Sequence, residues 1–406
     1  MPDDRYHIFL FDVDGVIVNP VAYRLGITKT LIALCEKIGL QNIDAILPNE
    51  AEIAAMEAQG VHDVWDITNI IFCDILTTIA LQERAVESSS NFHQENTAEH
   101  LRALKELHPT IARPGYLKLA QDIASNEFHS HPPDLALTLF RNKLSKSNHN
   151  KDWIDLLVKF LIGTRSAYSS YGTRLFQNII LGSHDFERTY ELSSEYPGVG
   201  LLRAEDITLI GEKTVEQLMK LNNRQSCAIG VYTARPSLPP KHSDASPVGY
   251  SPEAEIALES AGMQSLPLIG MGMMEWLGKQ HNERTEDLTK PNTTQALAAL
   301  INTITCGQDV AALNEAYAID KQNKKPAQTQ LTTIRDKKTT VYVFEDTISG
   351  IVPLQKTTQM LRSQGFDLQL EALGIATDPN KRAALEKHCK GVFADVNKAF
   401  ESISMS

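Results

Sequence analysis

The chain has 406 residues, 42% of them hydrophobic and 22% charged, enough for two domains, or one core with a large insertion, of ordinary globular composition. A net charge of −11 excludes general binding to nucleic acid or to an anionic membrane, since no overall field draws the chain to a polyanion. An anionic substrate would therefore need positive charge supplied locally.

The first element is announced by "YHIFLFDVDGVIVNP", residues 6 to 20. "IFLF" is a continuous apolar run, as expected of a strand covered on both faces in a parallel sheet. Asp12 and Asp14 then emerge at its C-terminal edge, where open α/β sheets bind ligands, and Gly15 allows the backbone to turn sharply. Two carboxylates so close raise each other's pKa, and a divalent cation would relieve the repulsion. The acidic N-terminus and short apolar run do not suit a signal peptide or a membrane span, and no stretch is expected to cross a membrane.

From about residue 25 to 190 the pattern is helical. "TKTLIALCEKIGL" ends near Gly39, and residues 63–87 read as one long, largely buried helix. "PGYLKLAQDIA", "DLALTLFRNKL", "DWIDLLVKFLIG" and "YGTRLFQNIILG" follow, with "SSSNFHQENT" and "SKSNHNKD" as polar breaks. Asp63 reads as a helix cap and Trp65 as core packing, with substrate contact by His62, Trp65 and Asp66 as the alternative. Tyr23 and Arg24 sit just past the first loop, where a hinge would fall.

Strands return from about residue 200: "SCAIGVY", "SLPLIG", "TTVYVFE" and "EALGIA", separated by helical patterns such as "EKTVEQLMKLNN" and "TTQALAALINTI". Such alternation predicts an α/β, Rossmann-like parallel sheet. The predicted division is a core of residues 1–20 and 200–406, with an all-helical insertion at 21–199. The stretch 319–340 holds six Lys or Arg against two Asp; a solvated loop is the simpler reading and an anionic partner the alternative. The five cysteines, at positions 35, 73, 227, 306 and 389, have no metal-finger spacing and read as buried thiols of a reducing compartment, so a cytoplasmic location is expected.

Three later stretches gather at the same sheet edge. One strand ends in Thr233, followed by Ala234 and Arg235; another ends in Glu345 and Asp346; Lys290 precedes Pro291, a favoured first helical residue. Phosphoryl transfer needs a nucleophile, neutralisation of spread negative charge and a proton donor for the leaving oxygen. Asp12 suits the nucleophile and Asp14 the general acid and base. Thr233 and Lys290 suit phosphoryl oxygens, and Asp346, with Glu345 near it, suits a hard cation shared with Asp12. Lys279 is a competitor for Lys290, and Arg235 either reinforces phosphate binding or pairs on the surface. An EF-hand is excluded because its twelfth position would be Tyr23.

The order "DVDGV", "VYTARPS", "TKPN", "VFEDTISGI" resembles the four signature motifs of the haloacid dehalogenase (HAD) superfamily, over about half the chain. The segment from "LFQNIILGSHDFERTY" to "TARP" is similar to members whose helical cap returns to the core. The resemblance implies a HAD-like core with a cap inserted after the first strand, Asp12 as nucleophile, Asp14 as acid and base, Thr233 and Lys290 on phosphate, and Asp346 completing a Mg²⁺ site. It further implies that the Val13 backbone lines the phosphate, that the Asp14 carbonyl ligates the metal, and that the cap excludes water and selects the leaving group. The fourth motif differs from the "GD" form: Gly350 stands where a further Asp is found, and Glu345 either ligates the ion or supports the residues that do. The acidic residue frequent after the first motif is absent from "VNPVAYR". The expected activity is a Mg²⁺-dependent phosphatase acting on a small phosphorylated metabolite through an aspartyl-phosphate. A phosphomutase on the same core and a HAD-fold binding or regulatory protein are the alternatives. Substrate identity and oligomeric state are not encoded in these motifs.

Overall fold

The computed structural model describes residues 5–82, 97–124, 131–145 and 150–403. They form two compact units, one of Met1–Pro20 with Glu205–Ser406 and one of Val21–Ala204. The first unit is built on six parallel strands. These are β1 (Arg5–Phe11), β4 (Cys227–Tyr232), β5 (Leu268–Ile269), β6 (Lys338–Glu345), β7 (Leu368–Ile375) and β8 (Gly391–Phe393), in the spatial order β5-β4-β1-β6-β7-β8. The remaining two strands, β2 (Val18–Asn19) and β3 (Ile207–Thr208), pair antiparallel beside the sheet. The sheet and its helices make a Rossmann-like α/β architecture.

β1 is central because it is apolar on both faces: Ile8, Phe9, Leu10 and Phe11 are wholly buried. Its register with β6 pairs Phe9 with Tyr342 and Phe11 with Phe344, and both pairs stack, at 5.0 and 4.3 Å between ring centroids. Since a one-residue slip would turn these rings to the opposite face, the stacking fixes which residues leave the sheet side by side. Those residues are Asp12, whose N–H donates to Phe344 O at 3.0 Å, and Glu345.

The strand "EALGIA" belongs to a longer one, β7, "SLPLIG" contributes only two residues, and β8 is additional. "TTQALAALINTI" is the helix Thr293–Ile304. Pro291 lies outside it, contrary to expectation: Asn292 donates to Thr289 O at 2.8 Å, closing a turn, and then caps the helix in extended backbone. The basic stretch continues the helix Asp309–Gln322 into two short 3₁₀ turns, with Pro326, Leu331 and Ile334 buried and most of its Lys and Arg exposed.

The regular elements among the second unit's described residues are all helices. Its central helix, Val64–Gln82, packs against Val21–Lys37, Pro132–Leu144, Asn150–Leu161 and Tyr171–Tyr190. Positions 83–87 of the expected long helix, all but the last residue of the first polar break, and residues 146–149 lie outside the described residues. Contrary to the expectation for membrane spans, Val64–Gln82 is long and apolar enough to cross one by length and composition. Its apolar window is 72% buried, as a helix surrounded by four others requires. Gly182, at φ 80°, interrupts the helix Tyr171–Tyr190 where the backbone of Val199 and Gly200 passes against it. All five cysteines are free thiols; two depart from the expected burial, Cys306 being exposed in the turn after Thr293–Ile304 and Cys389 half-buried.

Candidate active site

At the C-terminal edge of the sheet, Lys290 reaches back between β1 and β6. Its Nζ lies 2.5 Å from Glu345 Oε1 and 3.1 Å from Asp12 Oδ1. The face of Tyr232, the last residue of β4, stands 3.8 Å from the same ammonium. Burial works against the charged lysine, but Asp12 and Glu345 outweigh it and raise its pKa, so it stays a cation. Tyr232 is held from the other side, its hydroxyl donating to Gly350 O.

Asp12, Glu345 and Asp346 each bring a carboxylate oxygen to within 4.8 Å of the others. Burial, then the charge of Asp12, pushes Glu345 up to about 8 and Asp346 up to about 6. Asp346 also accepts from Lys381 Nζ, at the start of the helix Pro379–Leu385. Three hard oxygen donors facing one another, with Asp12 Oδ1 buried and outside hydrogen-bond geometry, match the donor set of a small divalent cation.

Two glycines allow this crowding. At Gly15, φ is +74° and a Cβ would lie 2.3 Å from Asp346 Oδ2. At Gly350 a Cβ would lie 1.7 Å from Glu345 Oε1, so the position where a second Asp was considered is filled by the Glu345 side chain.

Asp14 points elsewhere. Its carboxylate meets Arg235, with Nη2 at 2.6 Å and Nε at 3.1 Å from Oδ1, and the same guanidinium lies 3.0 Å from Asp206 Oδ2. Of the two expectations for Arg235, pairing on the surface is corrected: its side chain is fully buried, held by the carboxylates of Asp14 and Asp206 and by the Glu253 carbonyl at 3.4 Å. Burial raises the pKa of Asp14 even against Arg235. The Thr233 hydroxyl accepts the Arg235 N–H at 3.1 Å, which leaves its proton for an anion. Ala234 beside it is exposed, whereas Val13 is buried with its carbonyl engaged by Ile17 and Val18 N–H at 2.8 and 3.0 Å.

Gln295 escaped sequence reading. Fully buried, it accepts from Lys290 N–H at 2.9 Å and donates to Thr233 O at 2.8 Å, tying two separate loops together. Tyr232, Lys381 and Asp206 were missed as well; Tyr232 stands in "VYTARPS" as an ordinary strand residue, Lys381 and Asp206 lie in no motif, and each is found by its contacts alone. Lys279 is not at this edge; it pairs with Glu275 at 2.7 Å and Tyr250 at 3.1 Å on an exposed helix face.

The remaining candidates belong to the helical unit. Asp63 caps Val64–Gln82 by accepting from Trp65 N–H at 2.9 Å, and His62 is exposed. Trp65 is half-buried, and Asp66, 2% exposed, accepts from Thr164 Oγ1 at 2.5 Å. Arg24 pairs with Glu57 at 2.6 Å, and Tyr23 is half-buried.

No protein-family model and no curated protein matches this sequence. Among solved structures, a crystal structure determined as a Northeast Structural Genomics Consortium target is similar, with a TM-score of 0.61 and 15% identity over 96% of each chain. At that identity the likeness shows a shared fold alone.

Proposed function

We propose that this chain is a Mg²⁺-dependent phosphomonoesterase of the HAD type, working through an aspartyl-phosphate on a small phosphorylated metabolite. One observation carries the reading: Asp12, Glu345 and Asp346 converge on Lys290 and on one another at the C-terminal edge of a parallel sheet. The helical unit, inserted at Val21–Ala204 directly after the first catalytic loop, corresponds to a cap in this reading.

Asp12 attacks phosphorus while Asp14 gives its proton to the departing oxygen of the ester. Lys290 and the Thr233 hydroxyl hold phosphoryl oxygens, placed relative to one another by Gln295. Asp14 then takes a proton from water, whose oxygen attacks phosphorus, releasing inorganic phosphate and restoring the Asp12 carboxylate. The raised pKa of Asp14 favours its carrying that proton, and Arg235, shared with Asp206, orients the carboxyl. Asp12, Asp346 and the Asp14 carbonyl would hold Mg²⁺, with Glu345 supporting Lys290; when bound, the ion supplies neutralisation of the phosphoryl charge.

The test is phosphate release from p-nitrophenyl phosphate with Mg²⁺ by wild type and Asp12→Asn. Turnover by the variant is expected to fall by about 10³-fold or more. Undiminished turnover would overturn the reading.

A further inference from the structure

A second concave site lies in the α/β unit at the opposite edge of the sheet. Its wall is the approach to β5, Gln264–Leu268, and the C-terminal end of the helix Thr293–Ile304, whose N-terminal end carries Gln295 beside Lys290. The cavity measures about 200 Å³. Leu258, Leu266, Leu268 and Met273 supply an apolar wall.

Two residues that line this cavity each carry a buried acceptor without a hydrogen-bond partner among the described residues. Asn302 is 2% exposed; its amide N–H donates to Leu268 O at 3.1 Å, which fixes the orientation of the group and leaves Oδ1 unpaired. Glu255 accepts from Leu238 N–H at 3.0 Å through Oε1, while Oε2 is buried and unpaired. Burial pushes the Glu255 carboxyl up to about 7, outweighing its backbone hydrogen bonds and the charge of Lys241. Asp309, a buried residue that also lines the cavity, is by contrast satisfied by Lys241 N–H at 2.6 Å and His242 Nδ1 at 2.9 Å.

An unmade hydrogen bond at a buried acceptor is costly, so two in one cavity favour a guest with N–H donors. We propose that this cavity binds a small organic base, an amidine or amino-heterocycle, whose N–H groups donate to Asn302 Oδ1 and Glu255 Oε2 while its apolar body packs on Leu258 and Met273. The site is separate from the carboxylate edge and does not depend on the phosphatase reading.

Cys306 lines the cavity and is exposed, whereas Cys35, Cys73 and Cys227 are buried, so its alkylation reports occupancy. The full-length protein is titrated with benzamidine and with adenine, using benzoate as a control of similar size that lacks N–H donors. Calorimetry measures binding, and peptide mapping measures iodoacetamide labelling of Cys306. Benzamidine, adenine or both are expected to bind and to protect Cys306, with benzoate doing neither. Glu255→Gln, which turns an acceptor toward a donor, is expected to weaken binding about tenfold or more. Asp12→Asn is expected to leave binding unchanged. The proposal is overturned if neither base protects Cys306 in wild type, if benzoate protects equally, or if Glu255→Gln binds as wild type does. Loss of binding in Asp12→Asn would overturn it too, by assigning the bases to the acidic edge. Protection in the wild type needs no variant, so a failure of Glu255→Gln to fold does not shield the proposal.

Discussion

Buried carboxylates occur in both units of this protein, and Asp185 with Glu52 in one and Glu345 with Asp346 in the other are treated in opposite ways. In the helical unit, Asp185 has Arg188 and Arg203 each at 2.9 Å, and these outweigh burial and lower its pKa. Glu52 is likewise lowered, chiefly by its hydrogen bonds from Arg113 at 2.6 and 2.7 Å. At the sheet edge of the α/β unit, Asp12 and Glu345 share one lysine, and both Glu345 and Asp346 are raised. A carboxylate with its own cations is a structural brace; where carboxylates crowd around one cation, Glu345 and Asp346 are shifted toward the protonated form, which is the condition for binding an added cation or passing a proton.

The contrast is broken most forcefully at Lys290. Lys290→Met leaves Asp12 and Glu345 buried without their shared cation, and a loss of about 3–5 kcal/mol is expected in denaturant unfolding. The matching change in the helical unit, Lys37→Met, opens a pair with Glu195 that is about one-third exposed on each side, and should cost about 1 kcal/mol or less. Equal losses would remove the distinction.

Gly350→Ala comes next. Alanine favours a helix over glycine by about 1 kcal/mol, but its Cβ would lie 1.7 Å from Glu345 Oε1. Overpacking is expected to win, with a net loss of about 1–3 kcal/mol on unfolding and lower phosphate release. A stabilised Gly350→Ala protein would mean that Glu345 does not occupy that space.

Gln295→Leu removes the tie between Lys290 N–H and Thr233 O. About 1–2 kcal/mol of stability and roughly tenfold in kcat/KM should be lost. An unchanged kcat/KM would reduce Gln295 to a packing residue.

The smallest effect sharpens the comparison at its exception. Asp63 and Asp66, in the helical unit, are both raised to about 6, burial being the main cause. Because the folded state holds these protons more tightly than the unfolded state, their contribution to stability is full below the ordinary carboxylate range, near pH 4. It is lost as pH rises toward 6. Asp66→Asn should therefore be more stable than wild type at pH 7.5, by on the order of 1 kcal/mol, with the gain shrinking below pH 5. Hydrogen exchange in Val64–Gln82 at the two pH values measures this.

The periodicities that rest on burial were legible. "IFLF" declares a strand covered on both faces, and "TTQALAALINTI" is the observed helix to the residue. The pairing of β2 with β3 was not, since two-residue strands show no period and their partners lie far apart in the chain. At the site, the acidic pairs stand out because charge at the end of an apolar strand is unusual, and the lysine because it directly precedes Pro291. Gln295 and Tyr232 do not: an amide in a helix and a tyrosine in a strand are ordinary until Thr233 and Lys290 are brought beside them. Arg235 beside Thr233 suggested a phosphate ligand or a surface ion pair, and only the fold reveals the two carboxylates that claim it.

The central claim is that Asp12 is the nucleophile that accepts the phosphoryl group at an edge where acidic residues share a cation. Rapid acid quench during Mg²⁺-supported turnover of ³²P-labelled acetyl phosphate, followed by peptide mapping, reads it directly. The account predicts label on the peptide carrying Asp12 and none in Asp12→Asn. Turnover with label on another residue, or undiminished turnover by Asp12→Asn, would contradict it.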